Sequence, residues 1–108
     1  MGTLIYSSHL RINISDRMLA HLQIVIGNKL RRQEPFYLTV PAAADQPRRT
    51  IWLSHSLPLA YEYDSEAATP INRVWLEKLS VSANTASGLF PLPEPAPDEG
   101  PGTPVTRR

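Results

Sequence analysis

Several features that carry chemistry in other proteins are missing from this sequence. It contains no cysteine, which excludes disulfides, thiolate zinc sites, iron–sulfur clusters and cysteine nucleophiles. Its longest apolar stretch, Leu22 to Ile26, is interrupted by Gln23 and is far shorter than the ~20 residues of a membrane span. The N-terminus lacks the basic and apolar regions of a signal peptide. These absences predict a cytoplasmic protein without membrane contact.

Recognisable catalytic motifs are also absent. The five glycines form neither a G-x-x-x-x-G-K-[ST] nor a G-x-G-x-x-G phosphate loop. His9, His21 and His55 have no metal-binding partner at helical spacing, and no serine lies in a G-x-S-x-G turn. The sequence therefore predicts a protein that is not an enzyme, with no catalytic residues, cofactor or metal ion.

Length and proline content indicate the domain organisation. The chain has 108 residues, enough for one domain, and 11 prolines. Six of these prolines lie in the last eighteen positions, where too few apolar residues remain to build a core. We expect a single domain at residues 1–90 and a Pro-rich disordered tail at 91–108.

Apolar periodicity predicts the fold class. Alternating apolar residues indicate strands, and apolar residues three and four apart indicate helices. The strands are expected at 3–6, 9–14, 36–40, 50–54 and 59–63, with a short edge strand at 89–92, and the helices from about 15 to 32 and from about 72 onward. The order β-β-α-β-β-β-α predicts an α+β fold in which two helices pack on a small, mainly antiparallel sheet.

Charge is distributed unevenly along the chain. Residues 11–49 carry seven basic and three acidic side chains, although the formal net charge of the whole chain is only +1. This bias predicts a basic patch that contacts nucleic acid through Lys29, Arg31, Arg32, Arg48 and Arg49. A structural alternative exists for the first three, because cations are favoured at a helix C-terminus.

Two aromatic residues and one isoleucine define a candidate partner face. Alternation places Tyr37 and Trp52 opposite the apolar sheet face, and Ile24 falls on the polar side of its helix. An exposed Tyr37 and Trp52 would suit base stacking or a protein partner. In the other placement, which the sequence favours, the second helix covers these two residues and makes them core.

Several segments of the chain resemble a known family. They are residues 1–6, 16–22, 29–32, 50–53, 72–76 and 83–84. Over about residues 1–95 the chain resembles a family of small actinobacterial proteins of unknown function, whose members often carry the name ATP-dependent DNA ligase. Such ligases attach AMP to the lysine of a K-x-D-G motif, but Asp-Gly follows neither Lys29 nor Lys78. The resemblance implies at most a connection with DNA metabolism.

These observations leave three functional hypotheses. The first is a small binding module that associates with nucleic acid through the basic patch. The second is a protein-interaction or homodimerisation module that uses the exposed sheet face or Ile24. The third is an enzyme related to ligases.

Overall fold

The computed structural model describes residues 1–96, and within them the order of elements confirms the predicted β-β-α-β-β-β-α fold. The strands are Gly2–Tyr6 (β1), Leu10–Ile14 (β2), Phe36–Val40 (β3), Arg49–Leu53 (β4) and Leu59–Glu62 (β5), and the helices are Asp16–Arg31 (α1) and Arg73–Ala83 (α2). In this range, no helix is long and apolar enough to cross a membrane.

The strands form two antiparallel sheets rather than one. In the first sheet β1 lies between β2 and β5, and in the second β3 pairs with β4. The helices pack on one face of these strands, α1 against β1 and α2 against β3, and they also contact each other. The core therefore lies between the two helices and this face of the sheets.

Side chains join β2 and β4 where a strand ladder is absent. The side-chain amide of Gln46 donates to the carbonyl oxygen of Asn13 and accepts from its backbone N–H, both at 3.1 Å. The Arg49 guanidinium donates to the carbonyl oxygen of Arg11 at 3.1 Å. The Gln46 side chain therefore satisfies the outward backbone N–H and C=O of Asn13, as a neighbouring strand would. These contacts place the two sheets side by side.

Each helix begins at a side-chain cap. The Ser15 hydroxyl accepts the backbone N–H of Met18 before α1, and the Asn72 side chain accepts that of Trp75 before α2, both at 3.2 Å. Asn72 lies where the sequence predicts the second helix to begin. The buried apolar residues on these helices are Leu19, Leu22, Val25, Ile26, Trp75, Leu79 and Ala83.

The chain beyond residue 90 packs on the domain as far as it is described. Proline content predicts that residues 91–96 belong to the disordered tail, but the carbonyl of Leu92 accepts the indole N–H of Trp75 at 2.9 Å. Glu94 forms an ion pair with Arg17. These polar contacts hold a segment that has little apolar surface of its own. The remainder of the predicted tail, residues 97–108, lies outside the described residues.

The expected edge strand at 89–92 is reduced to one bridge. Leu89 is fully buried and lies parallel to Leu38 beside the outer edge of β3. Its N–H donates to the carbonyl of Tyr37 at 2.8 Å, and its carbonyl accepts the N–H of Thr39 at 3.0 Å. Leu89 therefore covers the edge of β3 that β4 leaves free.

Candidate functional site

The face of the strands opposite the helices carries the candidate site. Its exposed side chains include Arg11, Asn13, Ala60 and Glu62 on the first sheet. Arg11 and Glu62 form a 3.2 Å ion pair across this face. We refer to this surface, together with the same side of the β3–β4 hairpin, as the outer sheet face.

An exposed aromatic pair is the main feature of the outer sheet face. Tyr37 and Trp52 lie opposite each other on β3 and β4, and their rings meet edge to face with centroids 4.8 Å apart. Their side chains are 45% and 49% exposed. Buried aromatic residues are the rule in a domain of this size, so two half-exposed rings in contact form a surface available to a ligand.

The favoured prediction that the second helix buries Tyr37 and Trp52 is wrong. On β3 the buried residues are Phe36 and Leu38, which flank Tyr37 and point to the helices. Because successive side chains on a strand point to opposite faces, Tyr37 must point away from α2. The alternation in the sequence already separated these two groups; it did not show which group α2 covers.

Hydrogen bonds to the backbone fix both members of the pair. The carbonyl of Trp52 accepts the hydroxyl of Tyr6 at 2.8 Å, and the same hydroxyl accepts the N–H of Ser54 at 3.1 Å. Tyr6 is buried, so this bond ties β4 to the core. On the other strand, Leu89 binds the carbonyl of Tyr37. Hydrogen bonds from buried residues therefore hold the backbone on both strands of the aromatic pair.

Two of the predicted basic residues share one carboxylate partner within the fold. The Lys29 ammonium, with a side chain only 12% exposed, lies 3.4 Å from Glu34 and donates to Asn84 at 2.9 Å. Arg32 binds both carboxylate oxygens of Glu34, at 3.1 and 3.2 Å. These contacts, with Arg32 contributing most, lower the pKa of Glu34 below its ordinary value. Lys29 and Arg32 thus link the C-terminus of α1 to the turn that follows it, whereas Arg31 remains exposed.

The other two basic residues lie at the far end of the β3–β4 hairpin. Lys29 lies 5.5 Å from the ring centroid of Phe36, at the start of β3, whereas Arg49 faces Val40 at its end. Phe36 and Val40 are four residue steps apart along β3, a distance of about 13 Å. The structure therefore does not bring the five basic residues into one patch. Arg48 is exposed, and Arg49 reaches across to β2.

Ile24 lies apart from the aromatic pair. It is half-buried on α1, which packs on the inner side of β1, whereas Tyr37 and Trp52 point to the outer side. The three residues that the sequence proposed as one partner face therefore belong to two different surfaces.

A buried polar cluster between α1 and α2 was not found from the sequence. His21 is fully buried; its Nε2 accepts the backbone N–H of Asn72 at 2.9 Å, and its Nδ1 lies 2.8 Å from the carbonyl of Arg17. Because Nε2 accepts, the proton lies on Nδ1 and the imidazole is neutral in this arrangement. Both ring nitrogens are satisfied, which gives His21 a structural role. Its partner Asn72 is separated by 51 residues, so no local pattern could reveal the contact.

Glu94 completes this cluster from the C-terminal segment. Arg17 Nε donates to one carboxylate oxygen at 2.7 Å, Arg17 Nη2 contacts the other, and the Asn72 amide donates to that second oxygen at 2.9 Å. These hydrogen bonds, those from Arg17 first, lower the pKa of Glu94 to about 2. The arrangement holds a carboxylate rather than activating it for proton transfer.

The low pKa of Glu94 predicts how acid affects stability. A carboxyl whose pKa falls on folding stabilises the fold at pH values above its ordinary pKa of 4.5, and this stabilisation is lost as the pH falls towards 2. We expect Glu94→Gln to lower the melting temperature at pH 7 and to flatten its decline between pH 5 and pH 2. Thermal unfolding followed by circular dichroism at several pH values measures both effects. The exposed Glu66→Gln provides the control; equal acid dependence in both variants would contradict the assignment.

Among residues 1–96, no group of three His, Asp or Glu side chains is placed to hold a metal ion. The contact groups of the outer sheet face are aromatic rings, hydroxyls and the ion pair of Arg11 with Glu62.

The fold and this surface define a small two-layer α+β domain with an open sheet face. The chain belongs to the family described as Domain of unknown function (DUF7882), whose model matches residues 1–94. No curated protein and no solved structure matches the chain.

Proposed function

We propose that this chain is a non-enzymatic module that binds single-stranded nucleic acid on the outer face of the β3–β4 hairpin. Tyr37 and Trp52 stack against bases, and Arg48 contacts phosphate. The observation that carries the proposal is the exposed aromatic pair, with centroids 4.8 Å apart. Aromatic rings on an open sheet are a common platform for unpaired bases, and each stacked base contributes about 1–3 kcal/mol.

The residues around the pair favour nucleic acid over a protein partner. Thr39 and Thr50 lie next along the strands and bond to each other through their hydroxyls at 2.9 Å. Alternation places Arg48 in line with Thr50 and Trp52, about 13 Å from Trp52. Polar and cationic surroundings suit a phosphate backbone, whereas the centres of protein interfaces are depleted of charge.

The family resemblance drawn from the sequence agrees with this proposal in part. A ligase name among similar small actinobacterial proteins fits a chain that associates with DNA. It does not fit nucleotidyl transfer, because neither Lys29 nor Lys78 lies in a K-x-D-G motif. Moreover, the Lys29 ammonium already forms an ion pair with Glu34 and a hydrogen bond with Asn84. We therefore propose association with DNA or RNA without ligation.

A direct binding measurement tests the proposal. We expect fluorescence-anisotropy titrations with labelled single-stranded DNA and RNA to show binding that weakens as salt rises, because phosphate contacts release counterions. Replacing both rings, in Tyr37→Ala with Trp52→Ala, should weaken binding at least about tenfold, since each stacked base is worth about 1–3 kcal/mol. Duplex DNA should bind more weakly, because its bases are stacked within the helix.

Charge-matched variants separate the proposed site from general attraction. Arg48→Ala should reduce both the affinity and its salt dependence. Arg31→Ala removes the same charge from an exposed helix position and should leave affinity within about twofold. Binding that is unchanged by loss of both rings, or equally weakened by both arginine variants, would contradict the proposed site. Absence of binding at low salt would instead direct the search to protein partners.

A further inference from the structure

Within the described residues, the edge of β5 is fully open, whereas each of the other outer edges is bound at one or more positions. Gln46 and Arg49 bind the outer edge of β2, the Tyr6 hydroxyl binds that of β4, and Leu89 binds that of β3. Strand β5 pairs with β1 on one side only. Within residues 1–96, no backbone or side-chain group bonds to its other side. An uncovered edge is the part of a sheet that most readily accepts another strand.

The ladder between β1 and β5 shows which backbone groups are free. Ser7 donates its N–H to the carbonyl of Pro58 at 2.8 Å, so Pro58 faces β1. Because hydrogen bonding alternates along an antiparallel strand, Ala60 and Glu62 also face β1, and Leu59 and Tyr61 direct their N–H and C=O groups outward. These outward groups are the donors and acceptors that a further strand would need.

We propose that β5 pairs antiparallel with β5 of a second copy of this chain, in the register that places Ala60 opposite Ala60. In this register Leu59 of each copy lies opposite Tyr61 of the other, and these two residues exchange both of their outward hydrogen bonds. The side chains of Leu59 and Tyr61 are half-buried and lie on the inner side, so each apolar residue gains an apolar neighbour.

Charge and size fit this pairing on the outer side. Ala60 is exposed and small, so two copies of it can meet at the two-fold axis. Glu62 lies opposite Pro58 of the second copy, which keeps the two carboxylates apart. On the inner side, beyond the strand, Tyr63 donates its hydroxyl to Gln23 of its own α1 at 2.6 Å and lies opposite the exposed Leu57 of the second copy. Self-complementarity of this kind is what a two-fold interface requires.

The pairing stands independently of the proposed nucleic-acid binding. If both hold, the dimer joins two outer sheet faces on the same side, with one aromatic pair towards each end of the combined sheet. A strand of nucleic acid long enough to reach both pairs would then bind more tightly than a short one. The oligomeric state can be measured without any nucleic acid, so failure of either proposal leaves the other testable.

The absence of native cysteine makes a disulfide test specific. In a non-hydrogen-bonded antiparallel pair the opposed Cα atoms are about 4.5 Å apart, within the range that a disulfide spans. We expect Ala60→Cys to form a covalent dimer under mild oxidation at least about tenfold faster than Glu66→Cys, an exposed loop control. The rates can be read from non-reducing gels. Equal rates for the two variants would overturn the proposed register.

Charge repulsion at the same position gives a second test on the folded chain. In Ala60→Lys two ammonium groups would meet at the two-fold axis, so sedimentation equilibrium should show dimer dissociation at least about tenfold stronger than for the native chain. Thr50→Lys adds the same charge on the exposed face of β4 and should leave the dimer intact. Circular dichroism verifies that both variants fold. A native chain that sediments at 12.1 kDa at every concentration up to about 1 mM would overturn the proposal.

Discussion

Replacing Asn72 by alanine is expected to lower the free energy of unfolding by about 2–4 kcal/mol. Asn72 is 2% exposed, and its side chain joins the start of α2 to the C-terminal segment. Its oxygen caps α2 by accepting the N–H of Trp75, and its NH₂ group donates to Glu94 and to the carbonyl of Pro95. Loss of a cap costs about 1 kcal/mol, and loss of a donor to a carboxylate costs about 1.5–3 kcal/mol.

Two further substitutions at position 72 separate the contribution of the helix cap from that of the amide donors. Asn72→Ser keeps an oxygen that can cap α2 and loses the amide donors, so we expect roughly half the destabilisation of Asn72→Ala. Asn72→Asp also keeps the cap but brings a second carboxylate beside Glu94, so it should be less stable than Asn72→Ser at pH 7. Urea unfolding followed by tryptophan fluorescence measures all three. A loss below about 1 kcal/mol for Asn72→Ala would contradict the role assigned to this residue.

The elements of this fold were predictable because their signals are local. Ser15 and Asn72 each cap a helix by accepting the N–H of the residue three positions further on. The alternation of apolar residues at 36–40 indicates a strand without reference to the rest of the chain. The division into two sheets was not predictable in the same way. It depends on Gln46, a loop residue that takes the place of a neighbouring strand for Asn13, 33 residues away.

The candidate site was predictable only in composition. The sequence identified Tyr37 and Trp52 as members of one face, but their exposure depends on which face α2 covers. It identified Lys29 and Arg32 as basic, but both form ion pairs with Glu34 in the turn after α1. Charge counted along the chain therefore overstated the patch, because it cannot show which charges are already paired within the fold.

The open edge of β5 illustrates a related limit. The run from Leu59 to Tyr63 indicates a strand from its residue types, but an edge is defined by a missing neighbour. Only the pairing of β1 with both β2 and β5 shows that β5 ends the sheet. The same pairing identifies Leu59 and Tyr61 as the residues whose backbone groups face outward.

Gly88 is the position where an added methyl group should be most damaging. Its φ of +91° is one that residues with a side chain rarely adopt, and a Cβ there would lie 2.4 Å from the carbonyl oxygen of Tyr37. The Tyr37 backbone cannot yield without breaking its 2.8 Å hydrogen bond with Leu89. We therefore expect Gly88→Ala to lower the free energy of unfolding by about 3 kcal/mol or more.

The chain offers a matched control for this substitution in Gly27. A Cβ at Gly27 would meet nothing within 4 Å, and the residue lies inside α1, so Gly27→Ala should raise the free energy of unfolding by about 0.5–1 kcal/mol. The same substitution is thus expected to lower the free energy of unfolding at Gly88 and to raise it at Gly27, and urea unfolding can measure both changes. Because Gly88 touches Tyr37, Gly88→Ala should also weaken nucleic-acid binding at a temperature where it remains folded, and Gly27→Ala should not. Equal stability changes in the two variants would show that the contact between Gly88 and Tyr37 does not constrain the outer sheet face.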